Sequence, residues 1–213
     1  MACGFDLAHY AELLEAATAG GYRWAFFEHE PRPRDLFLRH DVDMSLEAAV
    51  AMAELEAERG VTATYFMMTR SQFYNLDSRD GVSTLGRLRE LGHRVGLHAV
   101  APDAVLDGRF DRVVAWHTPD AGTMSEPIAG ATNTYAPPWF DRARYRSDSN
   151  QCWRAGCPHE ELAAGAFEWL QLLVHPEIWV FEGATMRETM LSLIEAERDV
   201  LLRKMAENRV DLA

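Results

Sequence analysis

The sequence predicts an α/β fold in which parallel strands carry helices on their outer side, as an open sheet or a closed barrel. Three observations lead there. Short β-branched or aromatic runs alternate with segments of helical period, and Gly, Pro or Ser marks most of the changes between them. A length of 213 residues with 48% apolar side chains suits one core, so 1–213 is read as a single domain.

Asp6 is a natural N-cap for a first helix, in which Leu7, Tyr10, Leu14 and Ala17 recur at helical spacing until Gly20 and Gly21. YRWAFF (22–27) reads as a strand, EPRPRD as a Pro-rich turn, and LFLR (36–39) as a short strand ending at a pair of aspartates. Ser45 caps the next helix, which turns Leu46, Ala49, Val50, Ala53 and Ala57 inward and stops at Gly60. VTATYFMM (61–68) is a strand, LGRLRELG (85–92) a short helix closed by Gly92, and HRVGLH (93–98) another strand. RVVAWH (112–117), RYRSD (144–148) and EWLQLLVH (168–175) are further strands. A long C-terminal helix follows, bearing Met186, Met190, Leu193, Ile194, Leu201 and Met205, as ready to form a homodimer interface as to cover a core. The stretch 118–143 has no sustained period and reads as a long loop, expected to help choose a substrate.

A formal charge of -12, from 21 basic and 33 acidic residues, leaves no electrostatic footprint for nucleic acid or anionic lipid. No stretch approaches the roughly 20 apolar residues of a membrane span, and MACGFDLAHYAEL lacks the pattern of a signal peptide. A cytoplasmic location is expected. Cys3, Cys152 and Cys157 are an odd number at irregular spacing, which argues against a disulfide framework. Cys152, Cys157 and His159 resemble half of a zinc site for which no second pair exists.

Several strands end on a polar residue able to bind metal: Asp41 and Asp43, His98, His117, Asp148 and His175. In parallel α/β folds the carboxyl ends of strands share one face, where sites form. A single such His is more often structural, but the repetition points to a site. Asp with His suits a borderline divalent ion such as zinc. Two carboxylates so close repel each other unless a cation or proton holds them. Asp43 as ligand leaves Asp41 free as a base, and His175 as imidazolium can protonate a leaving amine. Trp179 either walls the pocket or fills the core. Arg39 and His40 flank the pair, and strand alternation sends at least one of them away from it.

LRHDVD, GVTATYFMM, LGHRVGLH, HTP and LQLLVHPEIW, in that order over roughly residues 36 to 180, resemble the polysaccharide deacetylase superfamily (carbohydrate esterase family four). The likeness is greatest to its divergent branch associated with O-antigen and capsule clusters. It implies a distorted (β/α)7 barrel and a metal-dependent hydrolase, zinc being the usual ion, that removes an acetyl group from a sugar. It implies Asp41 as catalytic base, Asp43 and His98 as metal ligands, and His175 as general acid. The substrate expected is a small acetamido sugar or nucleotide-sugar.

The chain also departs from that pattern. Where a second histidine follows four residues after the first, this chain has Pro102, so His117 is taken as the third ligand, with Asp103 a weaker choice. Thr118 stands where an arginine that orients the base is expected. Asp148 is assigned a substrate-contacting or base-orienting role, its alternative being a turn-forming cap. The interval between His98 and His117 hardly holds a crossover helix, which predicts an incomplete barrel. Hydrolysis of another C–N bond is equally compatible with these residues. So is an inactive sugar-binding or scaffold protein on the same fold, favoured by Pro102 and Thr118.

Overall fold

A computed structural model describes residues 3–101, 104, 106–118, 120 and 122–211 of the chain. Helix α1 (Leu7–Ala19) starts where the Asp6 side chain accepts from the His9 N–H, and it buries Tyr10, Leu13, Leu14 and Ala17. Of the aromatic run only β1 (Arg23–Trp24) is a strand. Strand β2 (Asp35–Val42) is buried throughout and runs on through Asp41 instead of stopping before it. Its neighbours explain the extension, because β3 (Thr64–Met67) bonds to Arg39–Val42 and continues the ladder past the apolar run.

Between them, α2 (Leu46–Ala57) is capped by the Ser45 hydroxyl accepting from the Ala48 N–H. Helix α3 (Arg79–Glu90) begins at Arg79 rather than Leu85, because Ser78 caps it and Asp80 sits favourably in its first turn. Then come β4 (Arg94–Ala99), β5 (Val113–Trp116), β6 (Thr132–Asn133), β7 (Tyr145–Ser147), α4 (His159–Ala163), β8 (Leu170–Val174), α5 (Pro176–Val180) and α6 (Met186–Glu207). The stretch read as loop from 118 to 143 thus contains the two-residue β6 and two 3-10 turns, one ending just beyond it.

All strand pairs are parallel, in the order β6-β5-β4-β3-β2-β8-β7, with β1 beside the start of β2. Strands β6 and β8 are five places apart in that order, so a flat sheet at roughly 4.8 Å per strand would separate them by about 24 Å. Instead the Gln171 amide on β8 donates to the carbonyl of Thr134, just past β6, at 3.0 Å. The sheet is therefore curled, with helices outside it and an opening between β6 and β7. No helix lies between β4 and β5 among the described residues, as the short interval there requires.

Alternation along the strands sorts side chains to two sides. Leu36, Leu38, Tyr65, Met67, Val95 and Leu97 face the helices and form the main core with α1 and α2. Phe37, Phe66, Val113, Ala115 and Trp169 fill the inside of the curl. Gly96 belongs to this inner layer, where a Cβ would stand 2.5 Å from the Phe66 ring. Helix α6 buries Thr189 and Leu193 and leaves Leu191, Ile194, Leu201 and Leu202 exposed. No helix among the described residues is long and apolar enough to cross a membrane.

Candidate metal centre and its acid–base flanks

The inner face of β2 carries Phe37, Arg39 and Asp41 in steps of two, and Asp43 just beyond the strand continues the series. The same alternation aims His98 inward from β4 and His117 inward from the residue after β5. His175 stands at the corresponding end of β8. The curl thus gathers residues far apart in sequence at the carboxyl ends of its strands.

Asp43, His98 and His117 meet at three atoms. Asp43 Oδ1 lies 3.1 Å from His98 Nε2 and 3.4 Å from His117 Nδ1, and the two nitrogens are 3.2 Å apart. Ligand atoms about 2.0–2.1 Å from a tetrahedral zinc would stand about 3.3 Å from one another. His98 Nδ1 is 3.0 Å from the Ala115 carbonyl, which can only accept, so that nitrogen carries the proton and Nε2 offers its lone pair. Asp43 Oδ1 is buried and has no hydrogen bond of acceptable geometry despite its two close nitrogens. His117 Nδ1, when it carries a proton, can donate to the His98 Nε2 lone pair; with that proton gone, three lone pairs converge, and they fit a cation. Burial works against the charged Asp43, yet His117 and His98 outweigh it and hold the carboxyl below the usual carboxylate range. His117 is correspondingly raised by its contact with Asp43. Thr118 adopts a left-handed φ of 45°, a strained turn for a β-branched residue, immediately after His117.

Arg39 is fully buried and grips Asp41 with both arms, Nε to Oδ1 at 2.7 Å and Nη2 to Oδ2 at 2.6 Å. Burial favours the neutral acid, but the Arg39 guanidinium, with His98, holds Asp41 below its ordinary pKa. Arg39 itself is fixed by Thr134, Gln171 and Tyr135, so residues after β6 and on β8 set the rotamer of a β2 side chain. Arg39 thus stands two residues before the carboxylate that it holds.

On the other flank, His175 Nδ1 lies 2.5 Å from Asp148 Oδ1, and Asp148 Oδ2 accepts from the His175 backbone N–H and from Trp179 Nε1. Burial opposes the imidazolium, but Asp148 more than compensates and pushes His175 up to about 10. Asp148 thus orients the candidate acid rather than the base, and Trp179 serves as its hydrogen-bond donor as well as filling the core.

Sequence reasoning missed three contributors. Arg39 could have been placed inside by counting from Asp41. Tyr74 donates to the Val42 carbonyl at 2.7 Å and accepts from Met68 N–H, bracing the end of β2 between the two aspartates; nothing in its sequence context signals this. Glu177 is buried beside His175 with Oε2 unpartnered, and burial pushes its carboxyl up to about 8. His40 points to the opposite side of β2 and joins Glu56, Tyr10 and Tyr65. Pro102 and Asp103 lie outside the described residues. Cys152 is exposed and stands apart from Cys157, which meets Cys3 and His9 instead, so the half site read in CWRAGCPH is not formed as such.

A cavity of about 610 Å³ is lined by Tyr135, which accepts from Arg39, by Ser147 and Ser149 on either side of Asp148, by Tyr145 and Trp153, and by three arginines, Arg142, Arg146 and Arg154. A second, of about 430 Å³, lies at the opposite, amino-terminal ends of the strands near Thr64, Arg94 and Val113, away from the centre. The chain matches no protein family model, no curated protein and no solved structure.

Proposed function

We propose that the protein is a metal-dependent hydrolase of the polysaccharide deacetylase type that cleaves an acyl group from the nitrogen of an acetamido sugar. One observation supports it most. The Asp43, His98 and His117 triangle has an arginine-held carboxylate on one flank and an aspartate-held imidazole on the other. A divalent ion, zinc by the character of its donors, would supply positive charge that acidifies nearby water and opposes the developing oxyanion.

The chain's own groups account for the protons. Asp41, ionised and fixed by Arg39, accepts a proton from water as its oxygen adds to the acyl carbon. His175, protonated and aligned by Asp148, gives its proton to the departing nitrogen as the C–N bond breaks, leaving a carboxylate and an amine. Asp41 is weakly basic, so it suits water already acidified by a cation better than free water.

The cavity suggests the rest of the substrate. Arg146 is paired with Glu161, whereas Arg142 and Arg154 make no ion pair among the described residues, in a chain with a net charge of -12. Cations beside aromatic rings suit a phosphate with a stacking base, hence a nucleotide-linked sugar. A cytoplasmic nucleotide-sugar pool feeding surface polysaccharide is the setting this reading implies. The test is acetate release from nucleotide-linked acetamido sugars by zinc-loaded protein, against the same sugars without phosphate. Release that favours the nucleotide form and disappears in Asp41→Asn is expected. Binding without release, from wild type as well, would favour a non-catalytic sugar-binding protein.

A further inference from the structure

A second group of metal-ligating atoms lies on the far side of Trp179 from the acid pair and takes no part in the proposed chemistry. His9 Nε2, in the first turns of α1, is 3.1 Å from Cys3 Sγ and 3.3 Å from Cys157 Sγ. His9 Nδ1 lies 2.8 Å from Glu12 Oε2, and an ionised carboxylate only accepts, so Nδ1 carries the proton. Nε2 therefore presents a single lone pair to two sulfur atoms. It can accept from one thiol at most, and the other contact these sulfurs make is the long one from Cys3 Sγ to its neighbour's carbonyl, Gly4 O, at 3.8 Å. A cation held by two thiolates and the imidazole answers all three atoms at once.

The carboxylate behind the histidine is the partner that zinc-ligating imidazoles commonly have, fixing tautomer and ring orientation. Zinc bonds of about 2.3 Å to sulfur and 2.0–2.1 Å to nitrogen put tetrahedral ligand atoms about 3.5 Å apart, a small outward shift from the spacing seen. Two thiolates and one imidazole are soft enough to select zinc over magnesium or calcium. All three residues are partly buried, which shields the thiols while leaving a path for the ion.

We propose that Cys3, His9 and Cys157 form a zinc site separate from the Asp43 centre, with its fourth position open beside His159. The His159 ring is stacked 6.1 Å from that of His9. The ion would tie the segment before α1 to the loop before α4. His9 also stacks on Trp179 at 6.4 Å, and Trp179 donates to Asp148, so the site backs the wall that holds the His175 pair.

Cobalt distinguishes the two centres in one sample, because only a sulfur-ligated ion gives intense thiolate-to-cobalt absorption in the near ultraviolet. Tag-free, reduced, metal-stripped protein is titrated with cobalt(II) alone. The band is expected in wild type, in His98→Ala and in Cys152→Ser, and is expected to vanish in Cys3→Ser and Cys157→Ser. Its absence from wild type would overturn the proposal, whatever the variants do. Its persistence in both Cys3→Ser and Cys157→Ser, each checked for folding by circular dichroism, would do the same. Neither result bears on the deacetylase reading, which the His98→Ala protein and acetate release address.

Discussion

Arg39 and Asp41 stand two residues apart on β2, face the same interior, and are joined through both carboxylate oxygens at 2.7 and 2.6 Å. The pair is almost wholly withdrawn from water, so removing one partner leaves a buried charge uncompensated. Arg39→Met is expected to lower stability by about 3–5 kcal/mol in urea unfolding. Acetate release should fall much further than zinc content, because Asp41 is not in the ligand triangle. A variant with full activity would remove Arg39 from the account.

The link between His175 and Asp148 sets a pH dependence. His175 is raised from 6.5 to about 10, so the imidazolium is the form the fold favours. Its contribution to stability is complete below the unfolded histidine's pKa and is lost as pH climbs through about 10. Proton transfer to the leaving nitrogen should fade over the same alkaline range. In Asp148→Asn the His175 signal, followed by NMR, should titrate at lower pH than in wild type. An unchanged titration would mean that Asp148 does not hold the acid.

Gly96 makes room for Phe66 inside the curl. Gly96→Ala would bring a Cβ to 2.5 Å from that ring, and overpacking of this kind costs about 1–3 kcal/mol. Adding Phe66→Leu should recover part of the loss in a denaturant midpoint. Full stability of Gly96→Ala alone would show that the inner layer is looser than these contacts require.

The other face of β2 offers a control. Tyr65 donates to Glu56 Oε2 at 2.9 Å within a network completed by Tyr10 and His40. His93 Nδ1, though 3.6 Å from the same carboxylate, accepts from Ala63 N–H while Nε2 faces the Ala53 carbonyl, so His93 is neutral and no ion pair forms there. Tyr65→Phe is expected to cost about 1–3 kcal/mol by stripping a buried carboxylate of a donor. It should leave zinc affinity unchanged; a large loss of metal would couple the two faces of the strand.

Much of the site was legible in the sequence because strand ends in a parallel fold share a face, and because Asp41 and Asp43 keep the two-residue period of β2. That period also places Arg39 beside Asp41, but reading the strand as ending at Arg39 hid the relationship. The start of α3 was obscured because RDGVST has little apolar period, and a serine cap decides it. The pairing of Asp148 with His175 and the meeting of Cys3 with Cys157 depend on how the sheet curls and the helices stack. No local pattern carries that information.

The central claim is that Asp43, His98 and His117 hold a divalent ion. Anomalous diffraction from crystals soaked in zinc, collected on both sides of the zinc absorption edge, tests it most directly. A peak bounded by Asp43 Oδ1, His98 Nε2 and His117 Nδ1, absent in His98→Ala crystals, is the predicted result. No anomalous density among those three atoms, in crystals that bind zinc elsewhere, would contradict it.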